Sequence, residues 1–147
     1  MTEKFETYAY FWINGAFTTS EITDIIGLFP TEVHEKGDAK KYRPAKAWEE
    51  SWWKFHSPLR RDEIFIDAHI SALLELLESK KDVIEKLQSK YETGISCVGY
   101  YTDAHPGFHM NEKMIQSLAN LKLSVDFDLY CLCDHDEAEE RSNQEET

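Results

Sequence analysis

Glycine and proline are scarce in this chain, at 6 and 4 of 147 residues, which excludes a collagen-like or linker-like polymer. Cysteine is scarcer still. Three residues, two of them at Cys131 and Cys133, do not make a disulfide framework, and the expected compartment is a reducing cytoplasm. Long apolar runs are missing too. The longest nearly apolar stretch, residues 70–77, falls far short of the about 20 residues of a membrane span. The first six residues are acidic and carry no apolar targeting core. Positive charge is in deficit, with Lys+Arg at 16 against Asp+Glu at 28 and a formal net charge of -12. That balance excludes a chain built wholly for duplex DNA, which is bound by basic groups that displace counterions. No nucleophile elbow, Walker loop or glycine-rich phosphate fingerprint occurs, nor do the Cys-x2-Cys and His-Glu-x-x-His metal spacings.

What is present is a core. Apolar residues make up 41% of the chain and aromatics 13%, enough for one domain, expected over residues 1–133. Residues 134–147 hold seven acids and one arginine with no apolar residue larger than Ala138. Such a segment buries too little to offset chain entropy and is expected to be a disordered acidic tail whose deletion leaves the melting temperature unchanged.

Residues 5–14 alternate and are bulky on both faces, Phe5, Thr7, Ala9, Phe11 and Ile13 against Tyr8, Tyr10 and Trp12, which predicts a central strand. Thr18 and Glu21 have the spacing of a capping box before a helix with a buried stripe of Ile22, Ile25 and Ile26, stopped by Gly27. Residues 31–36 and 45–55 are expected strands, the second ended by Pro58. Ile66, Ile70, Leu73 and Leu77 recur at helical spacing and predict a helix over residues 62–77. Ser79 and Asp82 start a second helix that Gly94 ends. Residues 95–102 form a strand, residues 105–109 a loop, and Asn111 caps a helix carrying Met114, Ile115 and Leu118. The last strand, residues 123–133, alternates cleanly. Leu123, Val125, Phe127, Leu129 and Cys131 face the core, so Phe127→Ala is expected to cost about 3–5 kcal/mol.

A strand, a phenylalanine-bearing loop and an apolar helix occur twice, at residues 5–28 and 95–121. The expected fold is α+β: a two-layer sandwich of a mainly antiparallel sheet with helices on one face, built from two β-α-β-like halves and ferredoxin-like in spirit.

Four constellations can carry function. His105, His109, Cys131, Cys133, Asp134, His135 and Asp136 offer metal-ligand chemistry, but at unhelpful spacing and with both cysteines on the core face, so no metal and no cofactor are expected. Cys97 with His69 or His105 is a nucleophile–base pair by residue type, and Asp126 and Asp128 are paired carboxylates on one strand face. A mid-strand cysteine more often packs, such carboxylates are more often solvated, and His69 is expected to be a hydrogen-bonded core histidine. Residues 36–61 differ from the rest of the chain: eight bases against three acids, with three of the four tryptophans. Strand alternation sends Trp53 to one face and Trp48 and Trp52 to the other, the open side of a two-layer fold, near Tyr8, Tyr10, Trp12 and Tyr130. Lys36, Lys40, Lys41, Arg43, Trp48, Trp52 and Lys54 are therefore the expected partner-binding residues.

Residues 10–15 (YFWING), 19–23 (TSEIT), Gly27-Leu28-x-Pro30-Thr31 and Lys36-Gly37-Asp38 resemble the opening of domain-of-unknown-function family 4279. The tryptophan-bearing strand, the helix from His69 to Leu77 and the final Val125–Tyr130 run are similar to that family in order and spacing, over roughly residues 6 to 131. The resemblance implies a small bacterial cytoplasmic domain, of immunity or other partner-binding type, and hands over no catalytic residue. The expected function is thus non-enzymatic binding of a protein partner, as a monomer or homodimer and away from membranes. The rival readings are single-stranded nucleic-acid binding through residues 36–61 and a small metal-dependent enzyme.

Overall fold

The computed structural model describes residues 5–102 and 107–132. Its order is β1 (Glu6–Gly15), α1 (Thr19–Ile26), β2 (Glu32–His34), β3 (Ala39–Lys40), β4 (Arg43–Ala47), β5 (Ser51–His56), α2 (Ile66–Leu77), α3 (Lys81–Gln88), β6 (Glu92–Tyr101), α4 (Glu112–Asn120) and β7 (Val125–Cys131). Five strands form one mixed sheet in the order β2-β5-β1-β6-β7, and β3 and β4 form a separate hairpin. Neighbours in the large sheet are antiparallel except β6 and β7. This is the α+β sandwich expected from the two repeated units. In the second unit α4 joins adjacent parallel strands; in the first, α1 joins β1 to β2 and β5 lies between them. β1 is the central strand, as its two bulky faces predict.

One face of the sheet carries the core. Ala9, Phe11 and Ile13 of β1, Trp53 of β5 and Ile95 and Cys97 of β6 pack against Ile22, Ile26, Ile66, Ile70, Leu73, Leu77, Ile84 and Leu118 from the helices. The α2 stripe is as predicted, although the helix opens at Ile66 and a single 3-10 turn, Glu78–Lys80, carries it into α3. Gly27 ends α1 at φ 74°, its N–H donating to the Thr23 carbonyl, and the Asn111 side chain accepts from Met114 N at 2.9 Å at the start of α4.

Several expectations are corrected. Thr18 makes no side-chain cap. Glu35, 16 residues away, accepts from both the N–H and the hydroxyl of Thr19, so the cap on α1 comes from across the fold. Ile25 is exposed rather than part of the stripe. Residues 45–55 are not one strand: residues 48–50 break the run, leaving β4 in the hairpin and β5 in the sheet. Gly94 does not end a helix but lies inside β6.

The most consequential correction is at β7. Its odd residues do point to the helix side, but β7 is an edge strand whose far end no described helix covers. Phe127 is 40% exposed and Leu129 39%, and Cys131 is exposed as well. Among the described residues Phe127 keeps one ring partner, Phe108, with centroids 4.9 Å apart. Phe127→Ala is therefore expected to cost about 1–2 kcal/mol, the worth of a half-buried ring. Urea denaturation checks it, and a loss near 4 kcal/mol would restore a fully packed Phe127.

Candidate functional site

No described helix covers the other face of the sheet, and that face is paved with rings. Register fixes its membership. β1 supplies Tyr8, Tyr10 and Trp12, β5 supplies Trp52, Lys54 and His56, β6 supplies Gly94, Ser96, Val98 and Tyr100, β7 supplies Asp126, Asp128 and Tyr130, and β2 supplies Glu32 and His34. The rings stack on one another. His56 lies between Tyr8 and Tyr10 at 5.5 and 5.1 Å, Trp12 meets Trp52 at 5.4 Å, and Tyr100 meets Tyr130 at 5.1 Å. Cations fill the gaps. The Arg61 guanidinium sits 4.1 Å from the Tyr8 ring centroid, and Lys54 Nζ lies 5.0 Å from Tyr10 and 5.7 Å from Trp52.

Those cations are themselves paired, Lys54 with Glu32 at 3.7 Å and Arg61 with Glu6 at 2.6 Å. Burial works to raise the Glu32 carboxyl, but Lys54, His34 and His56 outweigh it and hold the group below its ordinary value. Burial, opposed by Arg61 at Tyr8 and by a hydrogen bond to Ser96 at Tyr10, raises both phenols. His56 goes the other way. Burial first, then Arg61 and Lys54, lower it against the pull of Glu32. Among the described residues its buried Nε2 has no hydrogen-bond partner, lying 4.0 Å from Glu32 Oε2.

That histidine yields a pH dependence. Because its folded value lies below the ordinary 6.5, the unfolded chain takes up the proton first, and stability falls as pH drops below 6.5. Glu32 is depressed, so its contribution is lost only in the acid range below 4.5. His56→Gln is expected to flatten the fall in urea midpoint between about pH 7.5 and about pH 5.5. An unchanged slope would show that other groups set it.

The seven residues expected to bind a partner divide into two groups. Trp52 and Lys54 lie on the open face, and Trp53 beside them is fully buried, as alternation predicts. Trp48 reaches the same side from the turn after β4, stacking on His34 at 4.1 Å with Lys40 Nζ 4.8 Å from its centroid. Lys40, Trp48, Glu49, Glu50, Trp52 and Asn14 line a cleft of about 540 Å³ at this seam. Lys36, Lys41 and Arg43 are exposed on the approach to the hairpin and on the hairpin itself. Sequence reasoning did not single out His34 and His56 on this face, although alternation along β5 from Trp52 to Lys54 reaches His56 next.

The chemical alternatives find little geometry. Cys97 is completely buried, and burial pushes its thiol up to about 12, which suits packing and not attack. His69 is also buried: Nε2 donates to the Glu63 carbonyl at 2.9 Å and Nδ1 shares a hydrogen bond with the Ser57 hydroxyl at 3.0 Å. Asp126 and Asp128 are solvated at the β7 edge. Among the described residues no three His, Cys, Asp or Glu side chains are grouped to hold a metal. His109 is exposed, while His105, Cys133, Asp134, His135, Asp136 and the acidic tail lie outside the described residues. No described helix is long and apolar enough to cross a membrane.

The family described as "Domain of unknown function (DUF4279)" matches over residues 5–132. No curated protein and no solved structure matches the chain.

Proposed function

The chain belongs to the DUF4279 family, whose description carries no activity, and on that premise we propose a function from the site alone: a non-enzymatic domain that binds a protein partner on its helix-free sheet face. One observation carries this reading, the continuous ring surface of Tyr8, Tyr10, Trp12, Trp52, Tyr100 and Tyr130 on a face that water would otherwise favour covering with charge. Aromatic side chains dominate the energetics of protein interfaces, and rings already held by neighbours lose little freedom when a partner arrives. The bacterial and cytoplasmic setting implied by the family resemblance is part of the same proposal. Single-stranded nucleic acid also stacks on sheet faces that bear rings. Here Glu32, Asp126 and Asp128 stand among the rings, and the chain carries a net charge of -12, which favours protein.

The test is photocrosslinking from benzoylphenylalanine placed at Trp52 or at Tyr130, with exposed Glu75 on α2 as the control position. The expected result is one protein captured from both open-face positions and not from α2, which then forms a stoichiometric complex when purified. Equal capture from all three positions, or capture of nucleic acid alone, would sink the proposal.

A further inference from the structure

Beside the ring-paved face stands an arm of different character. The segment from Ala39 to Ala47 holds Lys40, Lys41, Arg43 and Lys46 and no acid, within a chain of net charge -12. Every residue of β4 is exposed, and Tyr42 at the tip is 87% exposed. A two-stranded hairpin with no buried side of its own is marginal in water. Its ties are at the base: Gly37 N–H to the Trp48 carbonyl at 2.8 Å, Trp48 N–H to the Asp38 carbonyl at 2.9 Å, and the Trp48 ring between His34 and Lys40.

The charges differ from those on the sheet in one respect. Lys54 and Arg61 each have a carboxylate partner, whereas among the described residues Lys40, Lys41, Arg43 and Lys46 make no ion pair. The backbone is under-used as well. The five residues of β4 face a two-residue strand, with two registered positions and a shift between them. Unpaired cations on an extended, under-paired strand offer what an added strand of opposite charge requires: main-chain donors and acceptors together with side-chain complementarity.

We propose that this arm binds an extended acidic segment of the partner protein. The inference rests on the partner-binding reading above and names the chemistry of what binds. Acidic side chains of the segment meet Lys41 at the turn and, from successive positions, Arg43 and Lys46 on the two faces of β4, and an apolar or aromatic residue at its end enters the cleft between Trp48 and Trp52. Magnitudes favour a short peptide over nucleic acid. The arm adjoins the β2 edge through Trp48 and His34, while Asp126 and Asp128 lie on the opposite edge strand, about 19 Å away across four strand spacings. That exceeds the screening length of about 8 Å at physiological salt, so a short acidic segment on the arm escapes their repulsion. Glu32 on the β2 edge is already paired, with His34 at 3.0 Å and Lys54 at 3.7 Å, while Asp38, Glu49 and Glu50 flank the arm at its base, the last two lining the cleft. A nucleic-acid strand long enough to use the ring face would run across it toward Asp126 and Asp128.

The probe is a fluorescein-labelled peptide of about eight residues, a run of consecutive glutamates ending in phenylalanine, titrated against the full chain. Its glutamine counterpart and an oligothymidylate are the comparisons. The expected result is binding of the acidic peptide alone, weakened as salt rises and weakened about tenfold or more by K41E/R43E/K46E. All three positions are exposed, so the variant is expected to melt within about 2 °C of the parent. Equal binding of the glutamine peptide, stronger binding of the oligothymidylate, or no effect of the triple substitution would overturn the inference. If the triple variant still captures the crosslinked partner while open-face substitutions lose it, the arm proposal fails and the partner-binding reading stands. If open-face substitutions also keep the partner, both fail.

Discussion

Trp53→Ala is expected to be the most damaging substitution in the chain, at about 4–5 kcal/mol, while Trp52→Ala at the next position costs about 1 kcal/mol. Trp53 is completely buried, set edge-on to Phe11 at 6.2 Å and parallel to Phe55 at 6.4 Å. Its indole N–H donates to the Thr23 hydroxyl at 3.1 Å, tying β5 to α1. Truncation removes the largest side chain of the core, opens a cavity the rigid sheet cannot close, and takes away that bond. Domains of this size have about 5–15 kcal/mol in hand, so Trp53→Ala stands at the margin of folding. Trp53→Phe keeps most of the volume and is the variant to measure if alanine fails to fold, with an expected loss of about 2 kcal/mol. Urea midpoints of the three variants decide the matter. Equal losses at Trp52 and Trp53 would mean that the two sheet faces are covered alike, and the binding surface would lose its basis.

The second large effect is expected at Gly94. A Cβ built there falls 2.5 Å from Cζ2 and 2.8 Å from Cε2 of Trp12, and 3.1 Å from Ser124 Oγ. The indole lies directly on the β6 backbone, and its place depends on the absence of a side chain beneath it. Gly94→Ala is expected to cost about 2–3 kcal/mol and to displace Trp12 from its contact with Trp52. The near-ultraviolet circular dichroism of the tryptophan pair should change with it. A double-mutant cycle isolates the cause, because in a Trp12→Ala background only the 3.1 Å approach to Ser124 Oγ remains and Gly94→Ala should cost under about 1 kcal/mol. A full cost in both backgrounds would place the strain in the backbone instead.

Gly94 also shows where sequence reading reached its limit. As a glycine after an amphipathic helix it reads as a stop signal, and only the register of β1 against β6, which sets Trp12 opposite it, explains its place inside a strand. Signals written in local periodicity were legible. The double-faced β1, the Ile66–Leu77 stripe, the Gly27 cap and the opposite fates of Trp52 and Trp53 all follow from spacing within one element. Features that depend on which element lies alongside were not. Glu35 takes the capping role expected of Thr18 in α1, and it reaches Thr19 from 16 residues away. The break at residues 48–50 carries no glycine or proline to announce it. Alternation in β7 told correctly which way Phe127 points, yet pointing toward the helix side is burial only where a helix is present. The open face follows from strand parity, whereas of the hairpin that carries the arm's cations only residues 45–47 fall within an expected strand.

The central position of β1 has a further consequence, for the order in which the chain can fold. Its ladder partners come late: Gly15 pairs with Ser51, and Glu6 with Tyr100. Until β6 has left the ribosome, one side of β1 has no partner and Phe11 and Ile13 have only part of their core. Pairings separated by roughly 90 residues close long loops before they gain any contact energy, which places this fold among the slower small domains. Nascent chains stopped short of β6 expose an aromatic strand edge through that interval, and that is the form in which this protein is most in need of a chaperone.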